Sequence, residues 1–379
     1  MGWRTTFDLD EFAAAAGGYL RSRAAENTLL LSAAQAAQAA RDGQDGQAGR
    51  AGWRTRVAGQ RAESTGPEVL FGWWEPPDGG EPRGAFVHDP AAPLLIAGKA
   101  PEMGAALAAT LAKLGRHVFG VDAPTEVADA FAAAWSQRAG TTVRAHKNCR
   151  VYRLGAPQGM EMAGPAGRLR CARAEDRALL ADWLTAFAAE ANERLGSASD
   201  LAADLISRGG AVFWEVPQRP SRIRDAAYHL PIPLHRDPAQ FGDPAYQPVA
   251  LVTLTRPVAG TVRISMVYTP PERRHHGYAT ALTVAVSHAV LAGTGPGNGA
   301  SGHARGVLGG ASGLVNEVVM ITDKNRSDRW GGRLGYQLVG ERAVLRFGPV
   351  TGPMPRAHTT GAMPRLPTGP LPRLPRLRR

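Results

Sequence analysis

The sequence predicts an α/β protein that consists of two tandem halves. One order of elements, helices followed by a strand meander and then helix–strand–helix–strand, occupies residues 7–154. The same order begins again after residue 168. The strand segments alternate apolar and polar residues and are rich in β-branched side chains, whereas the helical segments carry an apolar stripe. The two halves show no clear match in sequence, so the predicted repeat depends on element order.

The first half is predicted to begin with helices and to end with a strand. Its predicted elements are helices within 7–40, strands at 69–74, 84–88 and 93–97, a helix at 102–114, a strand at 117–121, a helix at 125–139 and a strand at 142–154. Residues 41–66 are mostly Gly, Gln, Arg and Ala without periodicity, which predicts a flexible insertion. The first predicted domain therefore spans 1–155.

The second half repeats this plan with two more insertions. Its predicted elements are a strand at 168–173, helices at 176–194 and 200–208, strands at 211–216, 248–255 and 262–268, a helix to residue 292, a strand at 317–323 and one last strand. A proline-rich insertion is predicted at 217–247 and a glycine-rich insertion at 293–313. The second predicted domain spans 168–348, and a disordered, basic, proline-rich tail follows at 349–379.

One strand–turn–helix segment predicts an anion site. Residues 262–268 alternate as a strand, and Pro270 and Pro271 end it because proline has no N–H to donate to a neighbouring strand. Gly277 lies in a short turn, and a helix with an apolar stripe begins near Ala279. Free backbone N–H groups at the start of a helix, together with the helix dipole, favour a phosphate or pyrophosphate there.

The same turn resembles the GNAT superfamily, the acyl-CoA-dependent N-acetyltransferases. The family motif Arg/Gln-x-x-Gly-x-Gly/Ala is matched by Arg274-His275-His276-Gly277-Tyr278-Ala279. A second block follows at 317–323, with Asn325, Ser327 and Leu334-Gly335-Tyr336 after it. The resemblance covers residues 168–348. It implies two tandem GNAT-like domains, each a mixed, mostly antiparallel sheet flanked by helices.

The resemblance also implies a cofactor, a reaction and a set of binding residues. Acetyl-CoA would donate an acetyl group to a primary amine by direct attack, without a metal. Backbone groups on the fourth strand of the second half would pair with the pantetheine arm, and the turn would hold the pyrophosphate, with Arg274 adding charge. The expected CoA-binding residues are Met266, Val267, Tyr268, Thr269, Arg274, His275, His276, Gly277, Tyr278, Ala279 and Asn325.

Two of these residues have an alternative interpretation in which their side chains do not bind the cofactor. His275 and His276 stand where many relatives carry Gly and Arg or Lys. They are interpreted either as pH-dependent phosphate contacts or as solvated side chains whose backbone does the binding. Asn325 lies one position away from the usual asparagine of the family.

The catalytic residues are less well specified. The family's tyrosine, which protonates the departing thiolate, would fall at Gly331. Tyr268 is the nearest tyrosine by topology; alternatively the thiolate leaves without a protein acid. Glu190 shares a helical face with Trp183 and Phe187, so it is the candidate base or amine anchor, ahead of Glu215. The missing phenol keeps a second function open, a non-catalytic acyl-CoA-binding or regulatory protein.

The first half lacks the phosphate-binding motif. Ala-Pro-Glu-Met-Gly-Ala follows its third strand and contains no Arg-x-x-Gly-x-Ala turn. We therefore expect this half to pack against the second and to shape its substrate cleft. The alternative is that it binds a ligand of its own.

The cysteine content and the mean hydropathy of the chain argue against several classes of protein. Cys149 and Cys171 are the only cysteines, so no disulfide framework or cysteine zinc site is expected. Mean hydropathy is −0.21, no apolar run is long enough for a membrane span, and no secretory segment is present, so we expect a cytoplasmic protein. The partner is expected to be a small-molecule or peptide amine.

The positive charge is concentrated at the end of the chain. Six arginines after residue 349 account for six of the eleven surplus charges, and no acidic residue accompanies them. This placement argues against a nucleic-acid surface on the folded body. The tail is interpreted as a solvated segment, or alternatively as an electrostatic tether for an acidic partner, RNA or an anionic surface.

Overall fold

The structure is a computed structural model of the chain. It describes residues 2–42, 68–155, 164–193, 195–218, 246–293, 315–324 and 330–349. The bodies of the three predicted insertions and of the tail lie outside these ranges, as does Asn325. Within the described ranges, no helix has both the length and the apolar character that a membrane span requires.

The first half contains six strands and four helices in its described part. They are β1 (Gly2–Thr6), α1 (Leu9–Ser22), α2 (Thr28–Asp42), β2 (Leu70–Glu75), β3 (Ala85–His88), β4 (Leu94–Ala97), α3 (Pro101–Lys113), β5 (Gly120–Pro124), α4 (Thr125–Ala139) and β6 (Thr141–Leu154). Strand β1 was not predicted. It is a half-exposed edge strand that is held by antiparallel pairing with β2 and by Trp3, whose ring packs against Trp74 and Phe86.

The second half repeats the same order. Its described elements are β7 (Arg168–Cys171), α5 (Arg177–Ala191), α6 (Ala198–Ser207), β8 (Ala211–Pro217), β9 (Tyr246–Leu254), β10 (Thr261–Tyr268), α7 (Tyr278–Leu291), β11 (Glu317–Asp323), α8 (Trp330–Arg333) and β12 (Gln337–Pro349). Local chemistry sets several of these boundaries. Ser197 caps α6 by accepting from the N–H of Asp200, and α5 ends at Asn192, which adopts a left-handed conformation.

The twelve strands of the described ranges form one continuous sheet. Its order is β1-β2-β3-β4-β5-β12-β6-β11-β10-β9-β8-β7. Strand β12, from the end of the second half, pairs with β5 of the first half. Strand β6, from the end of the first half, pairs with β11 of the second half. The halves therefore exchange strands, and the sheet does not divide at residue 155.

The exchange is held together at the centre of the sheet. Strands β6 and β12 run antiparallel to each other along their whole lengths, from the pair Gln337–Arg153 to the pair Pro349–Thr141. A buried ion pair joins β12 to β5, because Arg342 donates to a carboxylate oxygen of Asp122 at 2.7 Å. Each half thus depends on the other for a central strand.

Helices cover both faces of the sheet in each half. In the first half, α1 and α2 pack on one face around Phe12 and Leu30, and α3 and α4 pack on the other around Leu107 and Phe131. In the second half, α5 and α6 pack on one face around Leu184, and α7 covers the other around Leu282. Most element types and bounds agree with the sequence, but β5 lies three residues later than predicted.

Candidate functional site

A gap opens in the sheet between β10 and β11. These parallel strands pair from Thr261 opposite Glu317 to Ile264 opposite Met320, and no further pairing joins them among the described residues. A β-bulge between Ile264 and Met266 bends β10 at this point. Beyond it, β10 pairs with β9 alone and β11 with β6 alone within the described ranges. Each strand therefore turns one edge of polar backbone groups toward the gap.

The gap ends at the turn before α7. A single 3₁₀ turn spans Pro271–Arg273, and two residues then adopt left-handed conformations, His275 with φ of 66° and Gly277 with φ of 79°. Gly277 is the residue that precedes α7, whose first backbone N–H groups have no acceptor within the helix. This arrangement concentrates N–H groups and the positive end of the helix dipole at one exposed place.

A cavity of about 870 Å³ connects the gap and the turn. Its walls come from β10, from the turn and from α5 and α6 of the second half. Further walls come from the first half, through Leu29 and Ala33 of α2 and through Lys147 and Cys149 of the exchanged strand β6. The first half thus contributes directly to the cleft.

The first half has no comparable turn in its described part. Only residues 98–100 join β4 to α3, whereas residues 269–277 join β10 to α7. Gly98 is packed tightly there, because an added Cβ would lie 2.6 Å from the sulfur of Met103. This short connection leaves no loop that could surround a pyrophosphate.

Known proteins resemble this chain in structure rather than in sequence. The sequence matches no family model and no curated protein. A solved structure of a Drosophila protein matches 92% of this chain and 99% of its own, at 14% identity and a TM-score of 0.50. A GCN5-related N-acetyltransferase from Sphaerobacter thermophilus matches 76% of this chain and 82% of its own, at 14% identity and a TM-score of 0.43.

A tandem GNAT protein from the clavulanic acid biosynthesis pathway also matches, over 74% of this chain and 82% of its own, at 14% identity and a TM-score of 0.37. The predicted α/β fold, with one order of elements repeated in two halves, is confirmed by the elements and the mixed sheet of the structure. At these identities the likeness concerns the fold alone, so the chemistry has to be argued from the residues of the site.

At the turn before α7, Arg274 and Glu190 are bound to each other. Nη2 of Arg274 donates to both carboxylate oxygens of Glu190, at 2.6 and 2.8 Å, and its Nε donates to the carbonyl oxygen of Thr269 at 2.9 Å. Both side chains lie on the cavity wall. The sequence assigned Arg274 to the pyrophosphate and Glu190 to the amine, but in the structure the guanidinium is turned toward Glu190.

Tyr268 also lies on the cavity wall. Its ring is buried and packs against Trp183, with 5.9 Å between the ring centroids. Burial raises the pKa of the Tyr268 phenol above its ordinary value, and the negative charge of Glu190 acts in the same direction. The phenol is therefore protonated at neutral pH and can donate a proton.

The remaining described residues predicted for CoA lie where β10 and the turn meet the cavity. Met266, Val267, Thr269, His275, Gly277, Tyr278 and Ala279 all line it. His276 is exposed; its Nδ1 lies 2.7 Å from the carbonyl oxygen of Arg274, and its ring stacks on Tyr278. His275 is exposed, and its left-handed backbone explains why glycine suits this position.

The position of the missing tyrosine has a structural explanation. A Cβ on Gly331 would lie 2.8 Å from two ring carbons of Tyr152. Tyr152 belongs to the exchanged strand β6, and its buried ring fills the place beside α8 where a side chain would otherwise stand. The strand exchange thus brings the Tyr152 ring to the space that a side chain at residue 331 would need.

Glu215, the second candidate base, belongs to an ion-pair network. Its two carboxylate oxygens accept from Arg168 at 3.0 Å and from Arg170 at 2.5 Å. Arg170 also binds Asp176, so the carboxylate is held in a buried structural cluster. Glu215 is absent from the cavity walls that the described residues form, which leaves Glu190 as the candidate base.

Sequence reasoning missed the polar floor of the cavity. Arg263, Ser265, Thr253 and Thr255 lie there on or beside neighbouring strands. Strand alternation could have placed Arg263 and Ser265 on one face, but their proximity to the first half depends on the exchange.

Burial raises the pKa of the Cys149 thiol to about 11, so this residue is not an activated nucleophile. No cluster of metal-ligating side chains occurs in the described part of the chain.

Proposed function

We propose that the chain is an N-acetyltransferase that moves an acetyl group from acetyl-CoA to a primary amine. The observation that carries this proposal is the continuity of three features. The gap between β10 and β11 ends at the turn before α7, and both open into one cavity. A cofactor with an extended, amide-containing arm and a pyrophosphate matches this combination.

The cofactor would lie along β10. Backbone groups from Met266 to Thr269 would pair with the pantetheine arm as a neighbouring strand would. The first N–H groups of α7 would bind the pyrophosphate, and Arg274 would add its charge after leaving Glu190. The thioester would then lie deeper in the gap, farther from the turn.

The reaction is a direct attack of the amine on the thioester. The amine nitrogen forms a bond to the acetyl carbonyl carbon, the carbon–sulfur bond breaks, and the amine loses a proton while the thiolate gains one. A backbone N–H of β10 would stabilise the developing oxyanion. We assign Tyr268 to protonate the thiolate. Glu190, released by Arg274, would attract the incoming ammonium or accept its proton.

The proposal is tested by following release of free thiol from acetyl-CoA with a panel of amines. Tyr268→Phe should lower kcat by about 100-fold, the order expected for loss of a general acid, with CoA affinity within about twofold. Tyr246→Phe removes a phenol outside the cavity and serves as the matched control. Full activity of the Tyr268 variant would remove that residue from the mechanism.

A second function is favoured by one observation. Because the Tyr152 ring fills the place beside Gly331, the chain lacks a phenol at the position where relatives carry one. The chain would then bind acyl-CoA without turning it over, as a sensor or regulator. Turnover of any amine well above background hydrolysis rules this out, whereas CoA binding without turnover across the panel supports it.

A further inference from the structure

Apolar helix faces from the two halves stand on opposite sides of the cavity. Helix α2 packs on strands β2 to β4 and helix α5 on strands β8 to β10, with β12, β6 and β11 between them in the sheet. On α2, Leu29 and Ala33 line the cavity one helical turn apart. On α5, Phe187 and Ala191 do the same. Residues four positions apart share a helix face, so each helix turns an apolar stripe toward the cavity.

The apolar side chains of these walls are held in place but are not fully covered. Leu29, Phe187 and Leu195 are each partly exposed. Phe187 and Leu195 also pack against the core beneath α5 and α6, and Leu95 of β4 packs against the core beneath α2. Leu95 and Leu195 line the cavity as well. Apolar surface in a concave, preformed site favours a ligand with apolar surface of its own.

The floor between the walls carries charged groups that are compensated within the protein. One row of mutually opposite residues crosses four strands on one face of the sheet: Leu95, Asp122, Val344 and Lys147. Lys147 pairs with Glu193 at 3.4 Å, and Asp122 pairs with Arg342 at 2.7 Å. Leu95 and Val344 of the same row add apolar surface to the cavity. This part of the floor therefore suits an uncharged, apolar group.

The cavity is wide in the direction from the gap toward the first half. Four strand spacings separate β11 from β4 in the sheet, which is about 19 Å. An acetyl group and a small amine at the gap would leave Leu29 and Leu95 uncovered. A larger apolar group is needed to cover both walls.

The position of this space favours the acceptor over the acyl group as its occupant. Lys147 lies two residues beyond Cys149, which pairs with Asp323 at the carboxyl end of β11. Because β10 and β11 are parallel, the row that contains Lys147 lies on the side of the turn. A longer acyl chain would continue from the thioester into the gap, away from the turn. This step rests on the function proposed above, in which the cofactor enters at the turn.

We propose that the acceptor is a primary amine with an extended apolar group, and that this group lies between α2 and α5. The amine nitrogen reaches the thioester at the gap, while Leu29, Leu95 and Phe187 remove the apolar group from water. The apolar group is unchanged in the reaction. Its burial sets the choice of acceptor.

A homologous series of amines tests the proposal on the unmodified protein. Thiol release from acetyl-CoA is measured with n-propylamine, n-butylamine, n-pentylamine and n-hexylamine, whose amino groups have nearly the same basicity. We expect kcat/KM to rise about threefold for each added methylene, the order expected when a methylene leaves water. A flat or falling series would overturn the inference while leaving the acetyltransferase function in place.

The alternative occupant is tested by changing the donor. With n-propylamine as the acceptor, acetyl-CoA is replaced by butyryl-CoA and by hexanoyl-CoA. We expect no rise in kcat/KM with the length of the acyl chain. A rise that is confined to the longer donors, with a flat amine series, would assign the space to the acyl chain and overturn the inference.

Variants then assign the preference to the two walls. Leu29→Ser and Phe187→Ser should each lower the ratio of kcat/KM between n-hexylamine and n-propylamine by at least about threefold, because each removes part of an apolar wall. Leu114→Ser is the matched control, since this side chain is 49% exposed but lies outside the cavity walls that the described residues form, and it should keep the full ratio. Thermal unfolding verifies that each variant is folded. An unchanged ratio in both wall variants would contradict the assignment.

If no amine releases thiol, the acetyltransferase function fails, and calorimetry decides the inference separately. n-Hexylamine and n-propylamine are titrated into the protein saturated with CoA. Binding of n-hexylamine at least about tenfold tighter than that of n-propylamine, with the difference reduced in Leu29→Ser, supports the apolar site. Equal affinity for the two amines, or no binding of n-hexylamine, overturns it.

Discussion

Replacing Glu190 with glutamine should strengthen CoA binding. In the structure the guanidinium of Arg274 is held by both oxygens of Glu190 and by the carbonyl oxygen of Thr269. A pyrophosphate at the turn has to compete with Glu190 for this guanidinium. The glutamine side chain would keep the size of the glutamate but remove its charge, so Arg274 would be available to the cofactor at lower cost.

The expected size of the change in CoA affinity follows from the exposure of the Arg274 and Glu190 side chains. The side chains of Arg274 and Glu190 are 38% and 40% exposed, so solvent screens their attraction. Ion pairs of this kind contribute up to about 1 kcal/mol, and the two short contacts place this one toward the upper end. Release of Arg274 should therefore lower the Kd for CoA by up to about fivefold. The gain should shrink at high salt.

Isothermal calorimetry with CoA measures this change. Glu193→Gln is the matched control, because Glu193 also lines the cavity but pairs with Lys147 at 3.4 Å. It should leave the Kd within about twofold, since its partner is not the guanidinium of Arg274. Arg274→Gln should weaken binding and should remove the effect of the Glu190 substitution in the double variant. Unchanged or weaker CoA binding by Glu190→Gln alone would refute the competition between carboxylate and cofactor.

Three further predictions concern stability and assembly. His275→Gly should raise the free energy of unfolding by about 0.5–1 kcal/mol in denaturant titrations, because it relieves a left-handed backbone, whereas His276→Gly should lower it. Burial, with the nearby charge of Arg116, lowers the pKa of His88 to about 4, so the unfolded state binds its proton first as the pH falls below about 6.5. The unfolding free energy should therefore fall by about 2 kcal/mol from this group between about pH 6.5 and 5, a loss absent from His88→Gln; equal pH slopes for the two proteins would contradict the assignment. Cutting the chain between β6 and β7 should leave two fragments that purify together through the exchanged strands, whereas fragments that fold and purify separately would contradict the exchange.

The sequence was sufficient for the features that depend on neighbouring residues. The alternation at 262–268, the two prolines and Gly277 together predicted a strand, a turn and a helix start, and all three are found. The helix Thr125–Ala139 and the strand Glu317–Asp323 have the predicted bounds. Local propensity and hydrophobic period are enough for such elements.

Features that depend on distant partners were not predictable. The same alternation suits β6 and β12 whether each pairs within its own half or with the other half, so the exchange left no local signal. The ring of Tyr152 against Gly331 and the walls of the cleft contributed by α2 and β6 follow from that exchange. The pairing of Arg274 with Glu190 joins residues 84 positions apart, and local patterns assigned a separate role to each.

Titration of CoA into the protein by calorimetry tests the central claim most directly. We expect one CoA per chain, bound at the turn before α7. Gly277→Asp should abolish binding by placing a carboxylate beside the pyrophosphate, since an added Cβ there meets only Pro165, at 3.7 Å. Gly140→Asp, at a left-handed glycine with open space around it in the first half, should bind normally. Two CoA per chain, no CoA, or unchanged binding by Gly277→Asp would contradict the account.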